Sequence, residues 1–243
     1  MAINLTSNCL LQYKMNDNNE SSQLEDTSGN DNHGTFREGG PPGKTEDHSV
    51  TGKIDKALEF DGTNDYIDLT SGINLSGFWT VTIFSRLDDN TGRPNIILGK
   101  NHPTQSYIHL TGNITPEIRF CNDTGNNATW TGIPALHQQW RQLTFVSTND
   151  GAKLHLFIDN VWQSSKDIDT DFKITNIAIG LGDSYNSFKG KLDCLNVFDK
   201  NLYDDERNFL WNNGDGTERL RSPACSLVGS SLVGNSLVGK GLS

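Results

Sequence analysis

The chain has 243 residues, with 30 acidic against 20 basic side chains and a formal charge of -10, so it would repel a phosphate backbone and nucleic acid is not an expected partner. No stretch approaches the roughly 18 consecutive apolar residues that a membrane span needs. The first eleven residues have no basic region, apolar run or small-residue cleavage site, so they do not read as a secretion signal; the expectation is a signal removed beforehand or folding in a cytoplasm.

In chain order, period-2 alternation marks short runs at Leu10 to Met15, Ala57 to Phe60, Tyr66 to Leu69, Trp79 to Leu87 and Asn95 to Leu98. It recurs at Tyr107 to Leu110, Glu117 to Phe120, Gln142 to Val146, Lys153 to Asp159, Ile174 to Ile179 and Leu192 to Phe198. Leu154, Leu156 and Ile158 alternating with Lys153, His155 and Asp159 is the pattern of a half-buried antiparallel strand. Asp61-Gly62, Asp123-Thr124-Gly125 and Asn149-Asp150-Gly151 supply residues tolerant of positive φ and predict hairpins. Many short strands separated by turns predict an all-β, antiparallel two-sheet sandwich. One short helix is expected near the C-terminus, Asp204 to Asn212, with an acidic first turn suited to the macrodipole and Asn213-Gly214 as its stop.

The four cysteines, Cys9, Cys121, Cys194 and Cys225, have wide spacings that fit neither a zinc site nor a dense disulfide framework, so buried thiols are expected. Residues 1–221 read as one domain and 222–243 as a tail. In the tail, Ser226-Leu227-Val228-Gly229-Ser230 begins a strict five-residue repeat that runs three times to Lys240. Three units are too few for a self-supporting solenoid. Five is odd, so an extended chain would turn successive Leu side chains to opposite faces. The expectation is a disordered or loosely docked segment, usable for contact with other subunits or for homo-oligomerisation.

Leu10-Leu11-Gln12-Tyr13-Lys14-Met15, then Asp26-Thr27-Ser28-Gly29-Asn30-Asp31-Asn32-His33-Gly34, then Gly52 to Gly62 resemble the opening of laminin-G-like jelly-roll domains of the concanavalin A-like lectin and glucanase superfamily. Gln139-Trp140-Arg141-Gln142-Leu143-Thr144-Phe145, the hairpin Leu156 to Asn160, and Gly190 to Phe198 with Leu202 and Trp211 continue the likeness over about residues 8 to 216. The resemblance implies a concanavalin A-like fold and says little about ligand. It also implies a structural calcium where the N-terminal loop meets the last strand, and the matching positions are Asp26, Asn30, His33 through its carbonyl, and Asp193. Hard oxygen donors at close spacing suit calcium; the alternative is an Asx-turn in which Asp26 caps its own backbone.

Asp167, Asp169 and Asp171 would share one face if extended, as catalytic carboxylates do on some glucanases of this fold. A retaining glycosidase needs two carboxyls about 5 to 5.5 Å apart, one with a raised pKa. The run contains no Glu and lies beside Ser164-Ser165-Lys166 in what reads as a connection, so solvated carboxylates and no enzyme are expected. The Asn122 to Trp130 stretch has the composition of a sugar-contacting loop, amides for hydroxyls and an indole for a pyranose face. Asn122, Asp123, Asn126, Asn127 and Trp130, with Trp162 at a hairpin, are the candidate ligand residues; Trp140 and Trp211 are expected in the core.

The sequence therefore points to a non-catalytic recognition or adhesion module for cell-surface or extracellular glycan. It would sit on a virion surface, as a phage tail or capsid protein, or in the extracellular space. The alternatives are a purely structural virion decoration subunit and a glycoside hydrolase on the same fold.

Overall fold

A computed structural model of the protein describes residues 2–99, 106–112, 115–148, 151–178 and 186–223. Strands are numbered in chain order. One sheet has the spatial order β14 (Val161–Asp167), β13 (Lys153–Ile158), β12 (Trp140–Thr148), β7 (Trp79–Leu87), β17 (Lys189–Phe198), β5 (Lys56–Asp61) and β4 (Ser49–Thr51), with β1 (Cys9–Tyr13) also on β17. The other runs β11 (Asn127–Thr131), β10 (Glu117–Cys121), β9 (Tyr107–Thr111), β8 (Asn95–Gly99), β15 (Phe172–Ile177), β6 (Asp65–Leu75), β3 (Gly34–Glu38) and β2 (Gln23–Leu24), with β16 (Asn186–Ser187) beside β8. Among the described residues all pairings between these strands are antiparallel except β16 with β8. The helices are a single turn, α1 (Thr45–His48), and α2 (Asp204–Trp211). This is the expected sandwich.

The core lies between the sheets and is built by the inward positions of alternating strands. Trp79 of β7 packs against Phe120 and Phe172, whose ring centroids lie 6.2 and 6.3 Å away, and its indole N–H donates to the Thr170 carbonyl at 3.0 Å. A second apolar cluster of Leu5, Cys9, Phe198, Leu202, Leu210 and Leu220 joins the chain ends and α2 to β1 and β17. Cys9, Cys121 and Cys194 are buried; Cys225, like the whole repeat from 226 to 240, lies outside the described residues.

The strand β17 breaks register between Asp193 and Asn196, where Cys194 takes a positive φ of 46°. Its first half pairs with β5 and its second with β1, so the bulge lets one strand serve two neighbours.

Three local expectations change. Asp61-Gly62 joins β5 to β6, which lie in different sheets, so it is an inter-sheet turn; Asp123-Thr124-Gly125 does close a hairpin, with Cys121 opposite Asn127. Ser164 to Asp167 is not a connection but the end of edge strand β14. Trp140 and Trp211 are only half-buried, because Trp140 opens β12 opposite Arg86 and Trp211 stacks at 6.3 Å on Phe84.

Candidate functional site

The β13–β14 turn places residues 159 and 160 in the left-handed region, Asp159 at φ 52° and Asn160 at φ 59°, a two-residue connection favoured by Asp and Asn. Asp159 is fixed by accepting from the Gln142 backbone N–H at 3.0 Å and pairing with Arg141. Directly after the turn, Val161 and Trp162 are exposed, Trp162 at 56%. Phe157 is the cross-strand partner of Trp162 and shares the outer face with it, because the inward positions of β13 are Leu154, Leu156 and Ile158.

Helix α2 supplies the other wall. Asp204, Arg207 and Asn208 are spaced i, i+3, i+4 and so lie on one helix face. The Arg207 guanidinium sits 4.0 Å over the Phe157 ring, donates to the Leu202 carbonyl at 2.6 Å and to the Asp204 carboxylate. Asn160 Nδ2 donates to Asn208 Oδ1. Phe157, Asn160, Trp162, Asp204, Arg207 and Asn208 line a surface depression of about 410 Å³.

The predicted loop goes elsewhere. Asn122 is fully buried and acts as a turn hub: its Oδ1 accepts from the Thr124 and Asn126 N–H groups and its Nδ2 donates to the Asp169 carbonyl. Trp130 is 2% exposed, belongs to the main core, and donates its indole N–H to the Ser164 carbonyl. It therefore cannot stack on a sugar, and instead helps to close the gap between the two sheet edges β11 and β14. Asn126 and Asn127 are exposed and Asp123 half-buried. Because Asn122 meets Asp169, this loop sits beyond the far end of β14 from Trp162, roughly 20 Å along an extended chain. One site cannot contain both.

The three aspartates are exposed. Asp167 pairs with Lys153, and Asp169 Oδ1 accepts from the Asp171 N–H at 3.0 Å in a turn. Burial, then the nearby Asp169 and Asp123 charges, push the Asp171 carboxyl upward. On the outer face of the other sheet, burial holds the His109 imidazole down to about 4 against its hydrogen bond with Glu117, so it is neutral and far from a base poised near pH 7. A larger concavity of about 640 Å³ includes Glu38, His48, Asp61, Asp65, Asp88 and Lys189 in its lining. There His48 bonds Glu38 at 2.8 Å and lies 3.6 Å from Asp65, so the ring is engaged within the cavity wall.

The calcium positions take separate roles. Asp26 Oδ1 accepts from the Gln12 and Ser28 N–H groups, and Oδ2 from the Ser28 hydroxyl and the Asn32 N–H, at 2.8–3.0 Å. Asn30 donates its amide to the Cys9 and Leu10 carbonyls, and the His33 ring accepts from the Asp26 N–H. Asp193 accepts from the Ile54 N–H at 2.8 Å. Calcium takes six to eight oxygens, whereas the Asp26 oxygens already hold four protein donors and Asn30 turns its amide N–H groups to backbone carbonyls. In this arrangement Asp26 accepts from the N–H two residues on, as in an Asx-turn. Chelation with EDTA is accordingly expected to leave the melting temperature unchanged; a clear drop, reversed by added calcium, would restore the ion.

These features define a two-sheet jelly roll with an exposed indole, Trp162, beside amides and a carboxylate. A family model described as the concanavalin A-like lectin/glucanases superfamily, of the laminin G kind, matches residues 61–206, and the chain belongs to that family. Among solved structures it is similar to the binding domain of Paraclostridial Mosquitocidal Protein 1, at 18% identity and TM-score 0.60 over 86% of this chain and 53% of that one. It is similar to domain 4 of AbnA, a GH43 extracellular arabinanase from Geobacillus stearothermophilus in complex with arabinotriose, at 21% and 0.59 over 82% and 95%. The receptor-binding domain of the botulinum neurotoxin C/D mosaic serotype matches at 14% and 0.61 over 86% and 52%. The chain thus spans about half the length of the toxin binding domains. No curated protein sequence matches it.

Proposed function

We propose that this chain is a non-catalytic carbohydrate-recognition module. The observation that carries the reading is Trp162, an indole kept exposed on an edge strand where burial would otherwise stabilise the fold by roughly 2 kcal/mol. An amphipathic ring held in water beside amides is suited to stacking on a sugar. The solved structure bound to arabinotriose supports this reading, and the toxin binding domains support a binding role in general.

A glycosidase is disfavoured because the run Asp167, Asp169 and Asp171 holds no Glu and all three side chains are exposed, Asp167 paired with Lys153 and Asp169 accepting from the Asp171 N–H, unlike a facing acid pair with one raised pKa. Screening on a glycan array is expected to give saturable binding, with no release of reducing ends from the bound polysaccharide. Turnover abolished by Asp169→Asn would reverse the assignment.

The setting we infer is the extracellular space or a virion surface, where such a module meets cell-surface glycan. The apolar repeat from 226 to 240 supports contact with sister or other virion subunits, since six Leu and Val side chains in a polar segment favour a partner.

A further inference from the structure

We propose that the depression between Trp162 and helix α2 is a subsite for a neutral sugar, with the Trp162 indole as its platform and Asn160, Asn208 and Asp204 as its hydroxyl contacts. This rests on the carbohydrate-recognition reading and adds the residues and the ligand class.

The argument begins with which groups are already engaged. Among the described residues Arg207 is the one cation lining the depression, but its guanidinium sits over the Phe157 ring and donates to Leu202 and Asp204. It forms a rigid floor, and its charge is matched by Asp204 before any ligand arrives. The bond between Asn160 and Asn208 uses one amide N–H and one amide oxygen. Whichever way the two amides are turned, one NH₂ group and one carbonyl oxygen are left for a ligand. The second oxygen of Asp204, whose side chain is 91% exposed, is a further acceptor.

A donor, two acceptors and an aromatic plane match a pyranose or furanose ring. Adjacent hydroxyls both give and accept hydrogen bonds, while the C–H face covers the indole. An acidic sugar fits poorly: its carboxylate would meet Asp204 with no uncompensated cation to receive it, on a chain already at -10. The volume of about 410 Å³ lies within the range of small-molecule sites. The turn at Asp159-Asn160, pinned by Arg141 and Gln142, fixes the amide before binding.

The test is calorimetric titration of the full chain with neutral gluco-, galacto- and arabino-oligosaccharides, and with sialylated and galacturonate oligosaccharides. The parent is expected to bind a neutral member, with Kd changing less than about twofold between low and high salt. Trp162→Ala is expected to weaken binding by about tenfold or more and Asn208→Ala by about threefold. Both side chains are exposed, so each variant should melt with the parent, and Trp162→Phe should recover part of the loss. If the parent binds a neutral glycan but Trp162→Ala binds equally well, the subsite is wrong while the carbohydrate reading stands. Binding confined to acidic glycans and weakened by salt overturns the ligand class. Binding to no glycan at all overturns both.

Discussion

Asp193→Asn is expected to make the protein more stable than the parent at pH 8 and about equal to it near pH 4. Asp193 is 0% exposed; one carboxylate oxygen accepts from the Ile54 N–H and the other has no hydrogen-bond partner. Burial pushes its carboxyl up to about 7 from an ordinary 3.8, opposed by the Ile54 and Lys53 N–H groups and reinforced by the Glu218 charge. Between those two values the folded chain keeps a proton that the unfolded chain has released. Stability from this group is therefore greatest below about pH 4, falls as pH rises, and is flat above about pH 7. The loss is on the order of 2–4 kcal/mol. Asparagine keeps an oxygen for Ile54 and has no charge to desolvate. Urea melts of parent and variant at pH 4.5, 6 and 8 give the difference directly, and the other titrating groups cancel in it. A difference that does not grow with pH would sink the idea.

Asp193 also illustrates what the sequence can and cannot disclose. Alternation located the strand, but the register break at Cys194 and the turn at residues 52–55 that surround the carboxylate are long-range facts. The same holds for Asp26, whose spacing to Asn30 and His33 fits a cation loop and an Asx hub equally until the donors are seen. The strands β7, β13 and β17 were legible from their period-2 alternation, and helix α2 from its acidic first turn and the Asn-Gly that follows it. Strand β14 was not, since Val161–Asp167 is an edge with no buried face and reads as a polar link. Trp130 was misplaced for a related reason. Ala128 and Trp130 alternate inward against Asn127, Thr129 and Thr131, a period-2 signal that the surrounding Asn and Gly obscured. Trp162 was recognised as a candidate, yet its partners Asp204, Arg207 and Asn208 come from a helix more than forty residues away. Their shared i, i+3, i+4 face was visible in the sequence; what it faces was not.

Two truncations are expected to behave in opposite ways. Ending the chain after Pro223 should leave the melting temperature within about 2 °C of the parent, whereas ending it after Gly216 should lower it by on the order of 10 °C or more. The reason is a clasp formed by residues 217 to 222. The Leu5 N–H donates to the Leu220 carbonyl at 2.6 Å and the Ser222 N–H to the Ile3 carbonyl at 2.9 Å. Gln12 donates to the Glu218 carbonyl, and Asn16 to its carboxylate. Leu220, at 8% exposure, belongs to the cluster with Leu5, Phe198 and Leu210. Losing a buried leucine costs about 2 kcal/mol in transfer alone, and four hydrogen bonds add roughly 1 kcal/mol each. That is a large part of the 5–15 kcal/mol that typically holds a domain together. The clasp therefore reaches one residue past the boundary at 221, since Ser222 donates to the Ile3 carbonyl. The repeat after it has a different task in this account. Removing it should reduce self-association or incorporation into a larger assembly, measured by sedimentation velocity on the parent and the Pro223 truncation side by side. If the shorter chain assembles as the parent does, the repeat is not the assembly element. If it instead unfolds, the repeat is part of the domain and the clasp is not its end.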